Sequence, residues 1–384
     1  ASGSDALLPA GGSPATQVFR RDMVTGQTVL VSHTATGAPG DDNSGEPVIS
    51  ADGSAVAFTT NAPNLDATVP QVLVWRAGAP APVMVSVTPA ATPGNKKSYH
   101  PSISDDGTRV AFESQATDLG PVNPGRSAWW RDLTTGTTRL ASRADGANGA
   151  QANADVFDPA ISGDGRVVGF GTTATNLGDG DTTAVYDVHE RDMAAGTTTW
   201  VSRADGSGAA GNGSSFAPSL STDGGTVAFI SGATNLAPGD TDTVLDVLVR
   251  RVAAGRTLLA SRATGAAGDK STSEAAYPLI SGDGSRVMFA GDAPNLAGDD
   301  VNGVDDVFVR DLGASTTVGV SRADGAGGGL LGADPISGIA GNASLQCVAF
   351  VSGQPALVPG GYVSRDYKHV YLRTVAGDCA GTAT

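Results

Sequence analysis

The sequence predicts an all-β chain, a six-bladed β-propeller of four-stranded antiparallel blades whose ring is closed by an N-terminal strand. Three observations predict it. A proline-led segment recurs six times, as "PVISADGSAVAF", "PSISDDGTRVAF", "PAISGDGRVVGF", "PSLSTDGGTVAF", "PLISGDGSRVMF" and the degenerate "PISGIAGNASLQCVAF". Its closing phenylalanines, Phe58, Phe112, Phe170, Phe229, Phe289 and Phe350, lie 54, 58, 59, 60 and 61 residues apart, a period proper to a propeller or solenoid. The 53 glycines are about twice the usual ~7% share, and no stretch keeps an apolar helical period free of Gly or Pro.

Each repeat reads as four strands, A to D. Strand A follows the proline, as in Pro159–Ser162. A turn then leads into strand B, with Asp52-Gly53, Asp106-Gly107, Asp164-Gly165, Asp223-Gly224 and Asp283-Gly284 supplying the positive φ that a tight hairpin needs. Strand C is the "DVFVRD" type, Asp306–Asp311, and strand D the "TTVGVS" type, Thr316–Ser321, joined by glycine-containing turns such as "DLTTGTT". The A–B hairpins fall near residues 47–60, 101–114, 159–172, 218–231, 278–291 and 335–352. A single propeller is expected over residues 17–375, between a flexible segment 1–16 and a C-terminal tail 376–384.

The string S-x-DG-x-x-VAF, followed by "DVFVRD" and "G-T-T", resembles the TolB-like propeller repeats of secreted and periplasmic bacterial proteins. The resemblance covers about residues 17 to 375. It implies the fold, while its members include scaffolds, binding modules and a minority of enzymes.

The strand count is uneven: six A, six B and six D strands accompany seven C strands, the extra one being "QVFRRD" at Gln17–Asp22. The economical reading places the following D strand, Thr28–His33, beside His369–Thr374 to close the last blade. Gln17–Asp22 is then surplus, a fifth edge strand or a pairing edge for another copy of the chain. The two cysteines, Cys347 and Cys379, are expected to pair across a loop of about 33 residues, which would contribute ~3–4 kcal/mol and fits an extracytoplasmic setting.

A formal charge of −15 excludes nucleic acid as a partner, and no apolar run approaches a membrane span. The opening "ASGSDALLPAGGSPA" reads as a mature terminus left after export, so the expected setting is secreted or otherwise extracytoplasmic.

Two constellations carry chemistry. Ahead of strand C stand Asp181, Thr183 and Asp187 in the third blade, Asp240, Asp242 and Asp246 in the fourth, and Asp300, Asn302 and Asp306 in the fifth. Oxygens at positions 1, 3 and 7 of a turn suit calcium, the candidate cofactor. The plain alternative is turn chemistry, since Asp bonds its own backbone where strands begin. The second constellation is the residue before each strand-A proline: Glu46, His100, Asp158, Ala217, Tyr277 and Asp334. Because A strands line a propeller's channel, these residues are expected around a funnel that holds a cation or a ligand's amines and hydroxyls.

No HExxH, GxSxG or CxxC pattern occurs, so no catalytic residue is assigned. The arginines of the recurrent "SRADG" are expected to pair with neighbouring carboxylates. Trp129 and Trp130 face opposite sides of a strand, one packed and one a candidate sugar platform. Together these features describe an exported, non-enzymatic module that binds or scaffolds a protein or glycan ligand. The alternatives are a carbohydrate-active hydrolase or lyase working in the funnel, and a subunit that self-assembles through residues 17–22.

Overall fold

The structure, a computed structural model, describes residues 7, 15–120, 122, 125–178, 180–300, 302–323, 328–330, 338–352, 357 and 369–375. It is a six-bladed β-propeller, and apart from short 3₁₀ turns such as Pro63–Leu65 its described secondary structure is entirely β. An N-terminal hairpin, β1 (Phe19–Arg21) and β2 (Thr28–Leu30), comes first. Blade 1 comprises β3 (Ser44–Ile49), β4 (Ala55–Thr60), β5 (Gln71–Arg76) and β6 (Val83–Met84). Blade 2 comprises β7 (Ser98–Ile103), β8 (Arg109–Ser114), β9 (Ser127–Asp132) and β10 (Thr137–Leu140). Blade 3 follows with β11 (Val156–Ile161), β12 (Val167–Thr172), β13 (Asp187–Asp192) and β14 (Thr197–Trp200).

Blade 4 is β15 (Ser215–Leu220), β16 (Thr226–Ser231), β17 (Asp246–Arg251) and β18 (Arg256–Leu259). Blade 5 is β19 (Ala275–Ile280), β20 (Arg286–Gly291), β21 (Asp306–Asp311) and β22 (Thr316–Gly319). The last blade has three described strands, β23 (Ile339–Gly341), β24 (Cys347–Ser352) and β25 (His369–Thr374). The chain divides into two compact units, Ala1–Ala184 with His189–Thr199 and Val185–Val188 with Trp200–Thr384.

Five of the A–B turns are built the same way. Asp52 Oδ1 accepts the Ser50 hydroxyl at 2.6 Å and the Ser54 amide at 2.9 Å, while Ser50 Oγ accepts the Ala55 amide. Glycine is required twice over at Gly107: its φ is +66°, and a Cβ there would lie 2.7 Å from that of Ala55 in the preceding blade. The repeat phenylalanines are the core. Phe112 packs with Val72 and Val74 of blade 1, and in the second unit Phe289 packs with Val247 and Val249 of blade 4. Burying such a side chain contributes ~1.5–3 kcal/mol.

A second lock recurs on the outer strands. Arg250, 4% exposed, donates to the carbonyls of Arg203, Ala204 and Gly206 in the same unit. Arg310 does the same to Arg262, Ala263 and Gly265, and Arg191 to Arg143, Ala144 and Gly146. The "SRADG" loops are therefore acceptors for the next blade. Their own arginines, with Arg262 of the related "SRATG" at Ser261–Gly265, mostly bond loop carbonyls, as Arg143 does to Ala147 and Gly149, while Arg322 pairs with an acid, Asp299. For Arg143, Arg203 and Arg262 the expected carboxylate pairing thus gives way to backbone acceptors.

β2 pairs with β1 as a two-stranded hairpin, Arg20 opposite Val29. Gln17 and Val18 are fully buried, and Val18 and Val31 pack with Phe58 and Leu73 of blade 1. The edge of β1 away from β2 pairs with no described strand.

Candidate functional site

Strand A is bulged in five blades. The register slips between Gly45 and Val48, Tyr99 and Ser102, Phe157 and Ala160, Phe216 and Ser219, and Ala276 and Leu279. At each slip the residue before the proline adopts positive φ: Glu46 50°, His100 48°, Asp158 51°, Ala217 52° and Tyr277 54°. Left-handed backbone is costly for non-glycine residues, on the order of 1–3 kcal/mol each, and a bulge re-aims the side chain it carries. The sequence reading picked these positions by their place before proline. The backbone conformation that aims them carries no residue signature, because none is glycine.

In the first unit the bulges bring Glu46 and His100 together. Glu46 Oε2 accepts the His100 amide at 3.0 Å and the Thr59 hydroxyl at 2.7 Å, and the His100 ring lies 3.6 Å from Glu46 Oε1. The other ring nitrogen, Nδ1, is 3.4 Å from Glu113 Oε2. Glu113 is fully buried and also takes the Arg126 guanidinium at 3.0 Å, which stacks over the Phe157 ring. The hydrogen bond to Glu113 raises the His100 pKa despite opposing burial, and Glu46 adds to the rise. Burial raises the pKa of Asp158. Glu113 was not singled out from sequence. Its signal is an acid directly after Phe112, where other B strands carry Thr59, Gly171, Ile230, Ala290 or Val351.

In the second unit Ala217 offers no functional group. Tyr277 is 51% exposed and borders an open groove with Glu274, Asp292 and Asp305. Burial and Asp292 raise the pKa of Asp305. Asp334 lies outside the described residues.

The acidic loops occupy a different place. The last acid of each motif begins strand C and accepts a buried serine hydroxyl from strand D: Ser202 on Asp187 at 2.6 Å, Ser261 on Asp246 at 2.6 Å, and Ser321 on Asp306. Gln17 and Gln71 accept Ser32 and Ser86 in the same way, so this position latches the C and D strands with or without charge. In blade 3, Asp181 accepts the Thr183 amide and hydroxyl. In blade 5 the Asn302 side-chain amide donates to Asp306 at 2.8 Å.

In blade 4, Asp240, Asp242 and Asp246 place carboxylate oxygens within 4.8 Å of one another, and Lys270 Nζ reaches Asp242 at 3.1 Å and Asp246 at 2.6 Å. Burial, with Asp246 nearby, pushes the Asp240 pKa up to about 7. Lys270 also went unremarked in sequence. It becomes visible on aligning the D–A loops, where Lys270 opposite Arg262 matches Gln151, Ala210 and Leu330 opposite their own arginines.

Other candidates resolve into packing. Trp129 and Trp130 are both buried, and the Trp130 indole donates to Gly165 O at 2.8 Å with Arg139 over its ring, so neither is a sugar platform. His189 stacks on Phe170, and burial pushes its pKa down to about 4. Cys347 is buried at the start of β24, while Cys379 lies outside the described residues. Among the described residues no helix is long and apolar enough to cross a membrane.

No protein-family model matches the sequence, and no curated protein matches it. Solved structures do. TolB from Acinetobacter baumannii aligns at 14% identity over 78% of this chain with a TM-score of 0.42, and this chain covers 58% of that protein. A TolB protein from Agrobacterium tumefaciens aligns at 17% identity over 93% of this chain and 99% of its own, TM-score 0.45. Oligogalacturonate lyase from Vibrio parahaemolyticus aligns at 13% identity over 94% of this chain and 83% of its own, TM-score 0.53. The likeness is one of fold. Structural neighbours thus include TolB proteins, a lyase and prolyl endopeptidases, and the shared scaffold does not by itself decide whether this chain is an enzyme.

Proposed function

We propose that this propeller is a non-enzymatic, extracytoplasmic binding module that takes basic ligands, such as lysine- or arginine-rich protein segments, on the strand-A bulges. The observation that carries this reading is the pair of bulge residues Glu46 and His100, exposed on their side chains by 41% and 47% and backed by buried Glu113. Strained backbone displays accessible polar groups there, and a preorganised carboxylate-rich patch favours cationic partners. Glu274, Asp292 and Asp305 beside Tyr277 support the same preference in the second unit, as does the net charge of −15. Pairing of Cys347 with Cys379 belongs to this extracytoplasmic reading.

The test is calorimetric titration with a lysine-rich and a glutamate-rich peptide at low and moderate salt. Binding of the basic peptide alone is expected, weakened at least fivefold by Glu46→Gln combined with His100→Ala. No binding, or binding indifferent to both changes, overturns the reading. The placement of His100 between two carboxylates favours a second reading, acid–base catalysis on an oligosaccharide. Turnover of oligogalacturonates that His100→Ala abolishes would establish it. The edge of β1 that pairs with no described strand supports self-assembly between copies as a route to scaffolding, read by light scattering across a concentration series.

A further inference from the structure

Asp240 stands apart from the other described acids. It is 2% exposed, and neither carboxylate oxygen accepts a hydrogen bond of normal geometry. The Asp242 amide exerts only a small opposing pull on its charge. A buried carboxylate without donors is costly, so something of opposite charge belongs beside it. Lys270 answers part of that need. Its ammonium contacts Asp242 and Asp246 and bonds Ser271 O at 3.2 Å, and the two carboxylates hold its pKa up against burial. Three carboxylates therefore face one ammonium.

We propose that Asp240, Asp242 and Asp246 form a divalent-cation site of calcium type, and that Lys270 is its resident competitor, an internal cation that an incoming ion displaces. The donor set is all oxygen, as calcium prefers. Two oxygens bound at about 2.3–2.6 Å from one ion lie at most about 4.6–5.2 Å apart, and the three carboxylates each place an oxygen within 4.8 Å of the other two. Asp242, 54% exposed on its side chain, gives the ion a way in, while Asp246 stays fixed by Ser261. Displaced Lys270 keeps its charge near the solvent-facing side, so the exchange trades one ammonium for a doubly charged ion that also satisfies Asp240.

The experiment is calcium titration of the full chain by calorimetry, with terbium luminescence as a second readout. Wild type is expected to bind one calcium weakly at this site, and Asp240→Asn to lose it. Lys270→Met and Lys270→Gln, which remove the competitor, should each tighten binding at least tenfold, whereas Lys270→Arg should not. Unchanged or weaker calcium binding in both neutral variants overturns the competitor role. Absence of binding in wild type and in both neutral variants overturns the site. Should a neutral variant fold only with calcium present, recovery of its melting transition on adding calcium supports the proposal. Failure to recover, in both, counts against it.

Discussion

The loops before β17 and β21, "GDTDTVLDV" and "DDVNGVDDV", share the acids Asp240/Asp300 and Asp246/Asp306 and end in the same serine latch, yet they solve different electrostatic problems. In blade 4 a lysine from the D–A loop enters the acids, and Asp240 keeps two oxygens without hydrogen bonds. In blade 5 the equivalent loop position is Leu330, buried in the core, and the neutral amide of Asn302 serves Asp306 instead. The apolar packing changes with the charge. Gly319 leaves space that Leu330 fills, whereas Leu259 occupies the matching strand-D position in blade 4. One repeat position thus converts a packed loop into a charged one while the backbone frame stays the same.

The largest expected effect tests that shared frame. Arg250→Met and Arg310→Met each strip donors from three backbone carbonyls, and each should cost about 3–5 kcal/mol in urea denaturation. Unequal losses would mean that the two blades differ in their frame as well as in their loops.

A smaller effect concerns pH. The fold holds Asp240 neutral up to about pH 7, while the unfolded chain ionises near the ordinary carboxyl value of 3.8. Between these values the folded state binds the extra proton, so stability falls as pH rises through that window and levels off above it. Asp240→Asn should flatten the fall and, in chelator at pH 8, exceed wild type by about 1–2 kcal/mol in thermal denaturation. Asp300→Asn should change the profile less, because the Asn302 backbone amide donates to Asp300 and opposes the rise that burial gives its pKa. The reverse ranking would break the contrast between the loops.

The smallest effect tests packing. Gly319→Ala would set a Cβ 2.7 Å from Leu330, and the flexible leucine should yield at a cost of about 1 kcal/mol, read from the urea midpoint.

Blade number, the strand order within a blade and the Asp-Gly turns were legible in the sequence because each rests on local periodicity and turn chemistry. The core phenylalanines were legible for the same reason. Trp130 misled because alternation along a strand says which face a residue takes, not whether Arg139 and the next blade cover it.

For the sites, the acids and the pre-proline residues were named from the chain itself. That Glu113 stands behind His100, and that Lys270 enters among the blade 4 acids, depends on contacts between residues 13 to 28 positions apart. Sequence determined the repeated backbone frame because hydrogen bonding and hairpin geometry are local. Tertiary packing decided which carboxylates are desolvated and which cation meets them, because electrostatic energy depends on distance and burial, and neither is written in the order of residues.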